Sequence, residues 1–164
     1  MSIRKWNAET VEQLRAMDEI SLCGYPKVFN PDEIETRARQ VVSDLKEELG
    51  TSAIELENDG YDVRRDQATE PGLTVSLGAY HVYLGDTYVL PVIRISNYTH
   101  TELGTLASYT CQELLPNWVQ ERIVKVLTLN GFWYVPRDEL YVQYDGKLKV
   151  YSKFPSWWVR YLGF

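Results

Sequence analysis

Glu55 and Glu57 stand two residues apart, and Asp59, Asp62, Arg64, Arg65 and Asp66 follow closely. On a strand, that spacing puts both glutamates on one face. Paired carboxylates can serve as acid and base when their surroundings hold them in different protonation states. Here Glu55 and Glu57 alternate with Ile54 and Leu56 and read as a solvated face, so the two would behave alike. A hydrolase with an acidic site is therefore kept only as one alternative reading. The nucleophile and metal-ligand types are scarce: Cys23, Cys111, His81 and His100. Cys111 and His100 are the two that could meet, but Cys111 lies in an apolar segment and reads as a structural thiol. His81 continues the alternating series Val75, Leu77, Ala79, His81, Tyr83, which predicts a hydrogen-bonded residue on a partly apolar strand face. Neither His stands at i,i+4 from a second ligand type. No nucleophile elbow surrounds Ser76, Ser96 or Ser108. Gly72, Gly78 and Gly85 do not precede a helix in the manner of a phosphate cradle. Asp145-Gly146-Lys147 is explained by turn chemistry. These residues assign no catalytic group, no metal and no cofactor.

Aromatic residues offer a different chemistry, that of recognition. Eleven of the 21 rings lie between Phe132 and Phe164. Trp133, Tyr134, Trp157, Trp158 and Arg160 are the candidate contact residues. In strand parity, Trp157 and Tyr161 face one way and Trp158 and Arg160 the other, so one face needs a cover. Trp, Tyr and Arg together are the usual energetic anchors of interfaces, and Arg stacks on Trp. The same rings could instead bind a small molecule or a carbohydrate, which is the second alternative reading.

The formal net charge is −6 and it is uneven. Residues 1–70 hold sixteen acidic and nine basic side chains; residues 122–164 hold three acidic and seven basic. Glu55, Glu57, Asp59 and Asp62 belong to the acidic front. Such a front argues against nonspecific nucleic-acid binding, which depends on neutralising phosphates. It suits a basic protein partner or self-association. The first residues lack an apolar leader segment, and no run is long enough to cross a bilayer, so a soluble cytoplasmic protein with no membrane partner is expected.

The elements that must position these groups follow from spacing. Pro31 opens a helix after Asn30, with Ile34, Ala38, Val41, Val42, Leu45 and Leu49 in one stripe and Gly50 as its stop. A shorter helix is predicted over 7–17. Strands are predicted over 52–57, 61–65, 73–84 and 87–95, with turns at Asn58-Asp59-Gly60 and Gly85-Asp86. Pro91 argues for an edge or a bulge, and apolar residues on both strand faces predict a sheet covered on both sides. Two further helices are predicted over 101–115 and from Pro116 to about 129. Short strands at 132–135, 140–144, 147–151 and 157–161 close the chain. The whole reads as one domain, 1–164, of the α+β class: a mainly antiparallel sheet of hairpin-connected strands with about four helices segregated in two pairs. The function expected is protein–protein binding, in the form of an immunity-type protein that neutralises a basic partner.

Overall fold

The structure, a computed structural model, describes residues 10, 12–15, 31–57, 73–96, 104–141, 156 and 162. Within these, a five-stranded sheet carries a helical layer on one face. In chain order come helical residues at 10 and 12–15, helix α1 (Pro31–Leu49), strands β1 (Ile54–Glu57) and β2 (Leu73–Leu77), and a 3-10 turn at Gly78–Tyr80. Strands β3 (Val82–Leu84), β4 (Thr87–Val89), β5 (Val92–Ile95) and β6 (Thr105–Tyr109) follow. A 3-10 turn at Gln112–Leu114, helix α2 (Asn117–Leu129), strand β7 (Phe132–Tyr134) and the short helix α3 (Arg137–Leu140) complete it. The architecture is α+β.

The sheet order is β1-β2-β5-β6-β7. All neighbours are antiparallel except β6 and β7, which run parallel. Parallel strands need a crossover, and α2 supplies it. The crossover is drawn tight where Gly104, at φ +108°, meets Gly131. A Cβ on Gly104 would collide with the Gly131 carbonyl oxygen, so only glycine fits. β3 and β4 form a separate two-stranded ribbon. It continues the β2–β5 hairpin beyond the 3-10 turn on one side and Pro91 on the other. Its two-residue turn opens with Gly85 at φ +65°, between the paired residues Leu84 and Thr87.

α1 forms because its apolar residues recur on one stripe. Ile34, Ala38, Val41, Leu45 and Leu49 are all buried. They pack with Val119, Ile123, Val126 and Leu127 of α2 onto Ile54, Val75, Leu77, Ile93, Ile95, Ala107 and Phe132 of the sheet. Each such side chain contributes roughly 1.5–3 kcal/mol on burial. Polar contacts fix how the helices pack. Lys125 reaches Glu48 at 3.1 Å and Arg122 reaches it at 3.6 Å. The Asn130 amide donates to Asp44 at 3.0 Å and to the Val126 carbonyl at 2.8 Å, satisfying the end of α2.

Several expectations need correction. Residues 105–109 form the buried strand β6, not part of a helix over 101–115, so the second helix pair does not exist as drawn. Cys111 sits in a loop at φ +55°, half-buried, not on a helix. The stretch 73–84 is two strands parted by a turn, and Pro91 parts β4 from β5. Leu140 ends α3 and does not begin a strand. The strands expected at 61–65, 147–151 and 157–161 and the turn at Asn58-Asp59-Gly60 lie outside the described residues, as do Cys23 and His100.

Candidate functional site

Glu55 and Glu57 do share one face of β1, opposite Ser76 and Thr74 of β2. This is the sheet face away from the α1–α2 layer. The register extends across four strands: Glu57 faces Thr74, Thr74 faces Arg94, and Arg94 faces Ser108. Directly opposed residues share a face, so these four form one polar row. The row is covered, since Thr74, Arg94 and Ser108 are all buried. Arg94 Nη1 donates to Thr74 Oγ1 at 2.7 Å. Its Nε and Nη2 donate to the Leu162 carbonyl at 3.1 and 2.7 Å, so Leu162 lies over this face. Ser76 Oγ donates to Glu57 Oε1. Ser108 Oγ is buried and finds no hydrogen-bond partner among the described residues. Leu14, Leu106, Val135, Leu140 and Leu162 are buried outside the main core cluster, and strand parity puts Leu106 on this face.

A second polar group lies at the end of the sheet, around α3. Glu139 is only 5% exposed. Burial pushes its carboxyl up to about 7, and a hydrogen bond from Thr10 Oγ1 at 3.4 Å opposes that rise weakly. Among the described residues Glu139 Oε2 finds no hydrogen-bond partner, and Arg137 Nε finds none either but lies 3.7 Å from Asp138 Oδ1. Arg137 contacts Glu113 at 3.4 Å and lies over the Tyr141 ring at 5.5 Å. Tyr134, one of the expected contact residues, is half-buried and stacks on Tyr109, with ring centroids 5.6 Å apart. Tyr109 donates to Gln120 Oε1 at 2.8 Å. Burial, then the hydrogen bond to Tyr109, raises the Tyr134 phenol above its ordinary value. Tyr134 is thus engaged inside the fold, and Trp133 is half-buried on the opposite face of β7.

Exposure gathers elsewhere, on the β3–β4 ribbon. Tyr83 is 66% exposed, Leu84 59% and Tyr88 50%. Tyr83 and Tyr88 are cross-strand partners with ring centroids 5.3 Å apart. His81 joins them, 5.5 Å from Tyr88 and 6.2 Å from Tyr83. Its ring is oriented by Nδ1 donating to the Gly78 carbonyl at 2.6 Å, which leaves Nε2 to the outside. Gly78 itself is set by close approach: a Cβ there would sit 3.1 Å from the Ala53 carbonyl oxygen. Asp86 is exposed at the tip, and residues 78–90 contain no Lys or Arg.

Three clusters thus emerge: the covered polar row, the Glu139 group and the open aromatic ribbon. Of the expected site residues, Glu55 and Glu57 sit beside the first, Tyr134 touches the second, and none lies on the ribbon. Asp59, Asp62, Trp157, Trp158 and Arg160 lie outside the described residues. Among the described residues no three His, Cys, Asp or Glu side chains gather where a metal could be held, and no helix is long and apolar enough to cross a membrane. Arg94, Thr74, Ser108, Glu139, Tyr83 and Tyr88 were not foreseen as site residues. One signal for the first was a lone Arg inside the apolar run Tyr88 to Ile95. Comparison with protein-family models, with curated proteins and with solved structures finds no match to this chain.

Proposed function

We propose that the protein acts by binding a basic protein partner, with the β3–β4 ribbon as its contact element. The observation that carries this reading is the exposure of Tyr83, Leu84 and Tyr88 on an element that projects from the sheet's own hairpin. Clustered exposed rings are costly in water and are common anchors of protein interfaces. The His81–Gly78 bond and the Tyr83–Tyr88 pair hold the rings in place before contact, which reduces the ordering cost of binding. Charge supports a basic partner. The chain carries −6, and the ribbon has Asp86 at its tip with no cation of its own beside it. Neutralising a harmful basic protein, as immunity proteins do, is the form of this function that the acidic balance favours.

The acids of α1 contribute less to attraction than their number implies. Glu33 pairs with Arg37 at 2.6 Å, Glu35 with Arg39 at 2.9 Å, and Glu48 with Lys125 and Arg122. Steering would therefore fall to exposed carboxylates such as Asp86 and Glu55, which form no ion pair among the described residues.

The test compares the intact protein with a variant carrying Tyr83→Ser, Leu84→Ser and Tyr88→Ser. All three side chains are exposed, so far-UV circular dichroism should match. Capture from the cells of origin should yield one stoichiometric basic protein with the intact chain, weakened about tenfold or more in the variant. Identical capture by both would remove the ribbon from the interface.

A further inference from the structure

Four Tyr and Trp side chains among the described residues are exposed: Tyr83, Tyr88, Trp118 and Tyr141. Two of them carry one of the chain's own arginines. Arg122 lies over the Trp118 ring at 6.0 Å and Arg137 over the Tyr141 ring at 5.5 Å. Tyr83 and Tyr88 carry no such cation among the described residues, and the ribbon sequence, 78–90, supplies none. Their neighbours are acceptors instead. His81 Nδ1 donates to the Gly78 carbonyl, so in the neutral ring Nε2 is left as an acceptor. Asp86 stands exposed in the turn, two residues before Tyr88.

We propose that the Tyr83–Tyr88 pair seats an arginine side chain of the basic partner. This rests on the reading above that the ribbon meets a basic protein, and it names what the ribbon holds. A ring face attracts a cation that lies within about 6 Å of the centroid. The Tyr83 and Tyr88 centroids are 5.3 Å apart, so one cation can satisfy both rings. His81 closes the third side, 5.5 Å from Tyr88 and 6.2 Å from Tyr83. The two tyrosines are tilted by 59°, so neither hides its face against the other. Tyr109 and Tyr134 show the opposite case: they stack within 10° of parallel, and each covers a face of its neighbour. Arginine suits the ribbon better than lysine. Its planar guanidinium stacks on an aromatic face while its N–H groups stay free to donate to His81 Nε2 or the Asp86 carboxylate. Lysine brings a compact, strongly hydrated charge that stacks less well. A second copy of this chain is the wrong source of the arginine, because two chains of charge −6 repel.

The probe is the blocked tripeptide Gly-Arg-Gly, titrated into the intact protein and followed by NMR. Its controls replace Arg by citrulline, the uncharged isostere, and by Lys. The Arg peptide should bind about tenfold more tightly than the citrulline peptide and about threefold more tightly than the Lys peptide. Its side-chain methylene signals should move upfield, as protons above an aromatic face do. Tyr83→Leu and Tyr88→Leu keep apolar bulk at exposed positions and should each weaken the Arg peptide about fivefold. Asp86→Asn, which a two-residue turn accepts, should weaken it about twofold. Equal affinity for the Arg and citrulline peptides, or affinity unchanged by both tyrosine variants, would overturn the arginine seat. A dimer of the intact chain in sedimentation, dispersed by the same variants, would overturn it too, since the rings would then be occupied by self-association. The titration needs no captured partner, so the two readings fail separately. Capture that succeeds beside a flat titration keeps the ribbon as an interface and removes arginine from it. An Arg-specific titration beside failed capture keeps the seat and removes the stoichiometric partner.

Discussion

Ile93 and Arg94 are neighbours on β5, yet they look into opposite worlds. Ile93 points into the layer built by α1 and α2, among the aliphatic and aromatic side chains of the core. Arg94 points the other way, to Thr74 and the Leu162 carbonyl. Both are buried. The first face is held by area and shape, which many apolar residues can satisfy. The second is held by a few directed bonds to one cation, and directed bonds tolerate no loose substitute. The comparison teaches that one strand can carry a forgiving surface and an exacting one on alternate residues.

The difference has measurable consequences. The largest is expected at Arg94. Arg94→Ala removes a buried charge with its hydrogen bonds and should cost about 3–5 kcal/mol in urea unfolding. Ile93→Val, one residue away, should cost only about 1 kcal/mol. Equal losses at the two positions would mean that the polar row contributes packing alone.

The next effect lies at Glu139 and depends on pH. Burial raises its carboxyl from 4.5 to about 7, so between those values the folded chain holds a proton that the unfolded chain has released. Stability from this group is therefore complete below about pH 4.5 and is lost as pH rises through 7. Glu139→Gln should flatten that decline and raise stability at pH 8 by roughly 2 kcal/mol, allowing for solvent screening. Unfolding curves at pH 5 and pH 8 check it; a parallel pH dependence in both proteins would show that Glu139 is not the titrating group.

The smallest effect has the opposite sign to the first. Ser108 Oγ is buried in the same row as Arg94 but makes no hydrogen bond among the described residues. Ser108→Ala should therefore be neutral or stabilising by up to about 1 kcal/mol. A clear loss in thermal unfolding would reveal a partner for that hydroxyl and join Ser108 to the network.

Local patterns were legible in the sequence. The stripe from Ile34 to Leu49, with Pro31 before it and Gly50 after it, marks α1. Gly85-Asp86 between Leu84 and Thr87 marks the ribbon turn. β6 was misread because Leu103, Leu106, Ala107 and Leu114 recur at helical spacing. Its five residues are buried on both faces, so the alternation that announces a strand is missing. For the site, parity sufficed to put Glu55 and Glu57 on one face. It could not join Glu57 to Thr74, Arg94 and Ser108, because that row depends on register between distant strands. Nor could it tell that Tyr83 and Tyr88 remain in water, since the same alternation would suit a covered ribbon.

The parallel pairing of β6 with β7 sets a timetable for assembly. Strands β1, β2, β5 and β6 are all present once Tyr109 has been made, and they can zip through antiparallel contacts. β7 cannot dock until the α2 crossover has been synthesised, because a parallel neighbour must loop back to start from the same end. A nascent chain emerging from the ribosome would thus hold a four-stranded sheet whose β6 flank still awaits β7. That flank, on β6, is where premature association with other chains would begin.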